Sequence, residues 1–147
     1  MKKNAKKNNK GFSLVELIIV VAIMAILIGV LGGQYLKFVE RSRKSADQTN
    51  VDEIVRAVQI YAADPDADET IGDDSTVVIS TSGVTVTDDG LIAALKAAGL
   101  ADSTGKVNIK LKSKEWKDST NANQITITFS IENGSVSATV DPVAAAN

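Results

Sequence analysis

Residues 11–36 read GFSLVELIIVVAIMAILIGVLGGQYL, and between Phe12 and Gly33 every position is apolar or small except Ser13 and Glu16. Nothing from Leu17 to Gly33 is ionisable, and extension to Leu36 gives the ~20 residues a helix needs to cross a bilayer. A carboxylate one turn inside such a run is costly, about 2.5–3.5 kcal/mol at the centre of a membrane helix and less near its end. Glu16 therefore either reaches the headgroups or has a specific partner.

The chain of 147 residues is 44% hydrophobic and 23% charged, which fits one domain with an appendage and excludes both a disordered and a wholly membrane-embedded protein. It has no cysteine and no histidine. Disulfide frameworks, thiol nucleophiles, imidazole bases and the usual zinc ligands are thereby excluded. The formal charge of −2 conceals a division. Lys2, Lys3, Lys6, Lys7 and Lys10 crowd the first ten residues, and the remainder has 11 basic against 18 acidic residues, a net −7. An acidic body disfavours non-specific nucleic-acid binding over most of the surface.

A lysine-rich start before an apolar run has the form of an export signal. An ordinary signal peptide wants small residues at −3 and −1 of its cleavage site. Cleavage near Gly32 or Gly33 puts Val30 or Leu31 at −3, a poor fit, and leaves Glu16 unexplained. The stretch KGFSLVEL instead resembles the class III signal of type IV pilins and pseudopilins. The resemblance rests on Gly11, Phe12, Ser13, the aliphatic Leu14 and Val15, and Glu16, joined to the apolar run. With its helix it covers about the first 64 residues, and the remainder is similar to that family only in layout.

The resemblance implies that a prepilin peptidase cuts between Gly11 and Phe12 on the cytoplasmic side and methylates the new amine of Phe12. It further implies self-association into a helical filament, with an assembly platform and ATPase machinery as partners. The membrane holds the precursor. Glu16 is then the assembly residue, meeting the N-terminal amine of an adjacent subunit. Physical reasoning supplies a partner within the chain as well, because after the cut its own Phe12 amine lies four residues before Glu16 on the same helical face. At about 4 Å and an effective dielectric near 20, opposite unit charges attract by roughly 4 kcal/mol before desolvation.

Ala25, Gly29 and Gly33 recur at four-residue spacing, the small-residue pattern that lets membrane helices approach closely. Gly29, Gly32 and Gly33 also weaken the helix, by about 1 kcal/mol each relative to alanine. Many pilins have a helix-breaking proline at this depth, so the resemblance marks this segment as a yielding point. Routine glycine in a membrane helix is the alternative.

Farther on, Val51, Ile54, Val55, Val58 and Tyr61 fall on one helical stripe. No proline or glycine lies between Gln34 and Ala63, and Asp64-Pro65 ends the run, so a single helix from about Phe12 to Ala63 is expected. Lys37, Arg41, Arg43 and Lys44 form a basic band, either solvated or facing acidic surface of a neighbour. In DPDADETIGDDST, Asp64, Asp66 and Asp68 alternate like calcium ligands, but Glu69 stands where an EF-hand needs glycine and Ser75 where it needs glutamate. A looser calcium site or a plain solvated loop remains.

The head reads as a small sheet with one helix. Residues 77–81 and 84–87 form a strand pair around Ser82-Gly83. Asp88 or Asp89 caps a helix with Leu91, Leu95 and Ala98 inward and Gly99 as its stop. Residues 106–112 alternate as a strand, and Asn133-Gly134 turns a hairpin that pairs Ile131 with Val136, Phe129 with Ala138 and Ile127 with Val140. Trp116 is either a lid on the sheet edge or a ligand platform.

The expected fold is therefore α+β: a long N-terminal helix, membrane-spanning in its first half, packed on a small antiparallel sheet. The domains are a leader (1–11), a membrane and filament-core half-helix (12–36), an amphipathic half-helix (37–63) and a head (64–147). No catalytic, cofactor or metal residues are expected, and no specific nucleic-acid contact. The expected function is a subunit of an extracellular type IV pilus. A pseudopilin of a type II secretion system or a competence pilus is the alternative, then a single-pass anchored binding domain. Lack of cysteine resembles the cysteine-free pilins of Gram-positive bacteria.

Overall fold

A computed structural model describes residues 11–120 and 122–142, so the leader lysines lie outside the described residues. The chain divides into two compact units, Met1–Val39 and Glu40–Asn147. The main helix, α1 (Leu14–Ala62), is 49 residues long. Its first part is long and apolar enough to cross a membrane. Isoleucine and valine are mediocre helix formers in water, but in lipid a helix satisfies all its backbone groups internally, and that requirement outweighs propensity.

In the second unit α1 buries Asp47, Val51, Ile54, Ala57 and Val58. Val55 and Tyr61, expected on the same stripe, pack only partly against the core. The helix stops where Asp64-Pro65 removes the next donor, with Ala63 N bonding Gln59 O and Ile60 O at 3.2 Å.

The stripe is covered by one four-stranded antiparallel sheet in the order β2-β1-β3-β4, built from β1 (Ser75–Ser80), β2 (Val84–Val86), β3 (Gln124–Glu132) and β4 (Ser135–Asp141). The β1/β2 hairpin turns at Ser82-Gly83 as expected. The β3/β4 hairpin has the anticipated register, with Ile131, Phe129 and Ile127 opposite Val136, Ala138 and Val140. Asn133 and Gly134 have φ of 51° and 80°, the two left-handed residues of a tight hairpin turn. Val77, Ile79, Ile125, Ile127 and Phe129 form the inner face, and the hairpin tip runs beyond the core, leaving Ile131 40% exposed.

Helix α2 (Asp89–Ala97) begins where Asp88 Oδ1 accepts from Leu91 N at 3.0 Å. It ends at Gly99 (φ 74°), with Gly99 N on Lys96 O and Leu100 N on Leu95 O. Its inward face is Leu91, Ala94 and Leu95, whereas Ala98 is exposed. Ala98 is the C-cap, and the reversal at Gly99 turns Leu100 toward the core in its place.

Residues 106–112 are not a strand. Val107 and Leu111 are buried and Lys106, Lys110 and Lys112 exposed, so the alternation is real. The ladder is missing: Val107 makes one isolated bridge with Ala101, Leu111 N donates to Ser80 O, and Lys112 N donates to the Asp47 carboxylate. Alternation reports an extended, half-buried backbone, and side-chain acceptors can take its hydrogen bonds as well as a neighbouring strand can.

Gly90 is buried in the first turn of α2, and a Cβ there would lie 2.3 Å from Thr70 O. Backbone cannot swing aside as a flexible side chain can. Gly90→Ala should therefore cost about 2–3 kcal/mol, read as a Tm lowered by on the order of 10 °C in detergent-solubilised protein. A Tm equal to wild type would show that the Thr70 segment moves freely.

Candidate assembly site

The N-terminal site is built by the start of α1. Gly11 and Phe12 precede the helix, and Phe12 is 89% exposed. Ser13 is the N-cap: its carbonyl accepts from Leu17 N at 3.2 Å, and its hydroxyl accepts from Val15 N at 3.3 Å. Glu16, three residues on, folds back so that its Oε2 accepts from Ser13 N at 2.9 Å. This is a capping box, with two otherwise orphaned amides satisfied reciprocally. The signal for this role is the S-x-x-E spacing in FSLVEL, which the sequence reading of Glu16 as an assembly residue does not use. While Gly11 remains attached, Phe12 N is an amide, and Glu16 has Ser13 N as its partner. Gly29, Gly32 and Gly33 lie inside unbroken α1, and a Cβ at any of them would meet nothing within 4 Å.

Residues 6–32 match the family described as "Prokaryotic N-terminal methylation motif". The chain carries this methylation motif at its N-terminus. It is 38% identical over 58 residues to the Type IV major pilin protein PilA of Myxococcus xanthus (strain DK1622). The match takes in 40% of this chain and spans only 26% of that relative's length. No solved structure matches the chain.

Beyond the methylation motif, the chain contains a polar cluster that its sequence did not announce. Asp47 is fully buried on the inward stripe of α1. Its Oδ1 accepts from Lys112 N at 2.7 Å, and its Oδ2 accepts from Ser113 N at 2.9 Å and from Trp116 Nε1 at 3.0 Å. The Ser113 hydroxyl donates to Glu40 and is the main reason the Glu40 carboxyl titrates below its ordinary range. Burial opposes this, and Arg43 and Lys44 reinforce it. Trp116 is thus 4% exposed in the core and tied to α1, neither an open platform nor a lid on the sheet edge.

Two members of the basic band have partners, one on α1 itself and one in the head. Arg43 pairs with Glu40 at 3.3 Å, and Lys44 reaches Glu115 at 3.7 Å while lying 5.5 Å from the Trp116 ring centroid. In the acidic loop, Asp64 Oδ1 accepts from Asp66 N and Asp73 Oδ1 from Ile131 N, so these carboxylates serve turns and a loop anchor. Asp118 organises the next loop by accepting from Thr120, Ala122 and Gln124. The Thr120 hydroxyl is the first cause of the lowered Asp118 pKa.

Proposed function

We propose that the chain is a structural subunit of an extracellular type IV pilus. The leader, residues 1–11, is removed between Gly11 and Phe12 by prepilin peptidase, and Phe12 is methylated on its new amine. Residues 12–36 hold the precursor in the cytoplasmic membrane and later enter the filament core among copies of the same helix. Residues 37–63 continue as the amphipathic half, and residues 64–147 form the head. An assembly platform and its ATPase drive the transfer. The role is mechanical, and no catalytic residue is assigned.

The observation that carries this reading is the methylation motif across the Gly11-Phe12 bond, followed by a carboxylate held at the helix start. Cutting converts the Phe12 amide into a cation one turn from Glu16, which then has a charged partner to prefer over a neutral amide. Gly29, Gly32 and Gly33 supply the segment where the helix yields on packing. The name of the Myxococcus relative favours a major pilin over a pseudopilin or a competence-pilus subunit.

Protein recovered from the native host is expected to begin at Phe12 with one added methyl group, read by mass spectrometry of the N-terminal peptide. Electron microscopy of sheared surface fractions should find this peptide in the filaments. A mature chain starting at Met1, or beyond Gly33, removes the pilus reading and favours an anchored or secreted binding domain.

A further inference from the structure

The head has two strongly charged stretches of opposite sign that its fold keeps apart. Lys106, Lys110, Lys112, Lys114 and Lys117 are all exposed, while Val107, Leu111, Ser113 and Trp116 among them are buried. This ridge is no loose basic tail. It is pinned by the Val107 bridge to Ala101, by Leu111 N on Ser80 O, and by Asp47, which holds two of its amides and the Trp116 indole. Lys110, Lys112 and Lys114 alternate with the buried Leu111 and Ser113, which leaves all three on the solvent side of the segment. The carboxylate within the ridge, Glu115, is taken by Lys44 at 3.7 Å. Among the described residues none of the five lysines is in an ion pair.

The opposite charge follows the end of α1. Asp64, Asp66, Asp68, Glu69, Asp73 and Asp74 are exposed, and among the described residues no lysine or arginine pairs with them. The ridge is anchored at Asp47, and the acidic loop leaves α1 at Ala62, fifteen residues later. At 1.5 Å per residue that is about 22 Å along the helix axis.

We propose that the lysine ridge of one copy docks on the acidic loop 64–74 of a second copy, an inference that rests on the filament reading above. Like charges fixed on a pinned backbone repel one another, and a surface of opposite sign relieves that repulsion. The partner surface is present on every copy of the chain. Because α1 spaces the two patches along its axis, the pairing joins unlike surfaces of displaced copies. A heterologous contact of that kind repeats without closing and builds an open helical array, as a filament requires. A long polyanion is the less favoured occupant, since the chain beyond its first ten residues has a net charge of −7.

The test uses the full chain in cells. One strain has the ridge reversed (Lys110→Glu, Lys112→Glu, Lys114→Glu), a second the loop reversed (Asp66→Lys, Asp68→Lys, Glu69→Lys), and a third both. All six side chains are exposed, and membrane-fraction blots with limited proteolysis check that each variant folds. Each single reversal is expected to cut filament protein in the sheared fraction about tenfold. The doubly reversed strain, with complementarity restored, should return to within about twofold of wild type. Filaments at wild-type abundance in both single-reversal strains overturn the docking alone, as does a double reversal no better than the worse single one. Absence of filaments from the wild type overturns the filament reading and this inference with it. Unchanged filament abundance together with ridge-dependent, salt-sensitive retention of double-stranded DNA reassigns the ridge to a polyanion and overturns the docking.

Discussion

Asp47→Ala is expected to destabilise the head by about 3–5 kcal/mol and to release the segment around Trp116 from α1. The size follows from the number of donors left behind. Lys112 N, Ser113 N and Trp116 Nε1 all aim at this one buried carboxylate, and alanine satisfies none of them. A buried donor without a partner costs about 1–3 kcal/mol, and partial water entry keeps the total below three times that. Asp47→Leu should do no better, because restoring apolar volume does not restore an acceptor. Asp47→Asn should fall between: its oxygen can serve the Ser113 and Trp116 donors, while its NH2 group confronts Lys112 N. Trp116 is the only tryptophan, so its emission reports this loop directly. A red-shifted emission and a lowered unfolding midpoint in detergent, ordered Ala and Leu below Asn below wild type, are the expected result. Equal midpoints for Ala and wild type would show that water replaces the carboxylate at no cost.

Glu16→Ala is expected to leave insertion and leader cleavage intact and to reduce filaments to on the order of one hundredth or less of wild type. Removing the charge makes the segment more apolar, so insertion is unimpaired. The Phe12 amine then enters the filament core without a counter-charge, and breaking one side of a buried pair costs about 3–5 kcal/mol, or 10²–10³-fold in an association constant. The capping box adds a control. Glu16→Gln can still accept from Ser13 N, as Glu16 does at 2.9 Å, but it offers no charge to the amine. If charge is what matters, Gln should fail nearly as badly as Ala. If the box alone matters, Gln should assemble normally. Processed Glu16→Ala protein at normal membrane level with wild-type filament abundance would place registration in helix packing alone.

Features set by neighbours along the chain are legible in the amino-acid sequence alone. The Asn133-Gly134 hairpin and its register, the Asp88 cap with the Gly99 stop, and the end of α1 at Asp64-Pro65 each depend on a few adjacent residues. The apolar stripe is legible too, because periodicity is a local property. Asp47 was not recognised, although its position is readable: 47, 51, 54 and 58 continue one helical phase, so a polar residue there faces the core. What it meets is not readable, since its donors lie 65 to 69 residues away. The same contact explains the strand expected over 106–112. Alternation identifies the correct inward residues but carries no information about which acceptor takes their amides. Ala98 fails for a local reason, because helical phase was extended one residue into the cap. At the N-terminus the motif is plain in the sequence, and the S-x-x-E spacing that forms the box of Ser13 and Glu16 is local as well.

The distance in sequence between Asp47 and the donors it holds also determines when the head can form. A ribosome adding about 5–20 residues per second needs roughly 3–14 s to travel from Asp47 to Trp116, 69 residues later. Through that interval Val51, Ile54 and Val58 have at most the β1/β2 hairpin to cover them, since β3 is made later still. The emerging chain is then a helix with an open apolar face and a carboxylate awaiting its donors. The head can close only after β3 and β4 are made, when the strands and the 111–116 segment meet a helix already waiting for them.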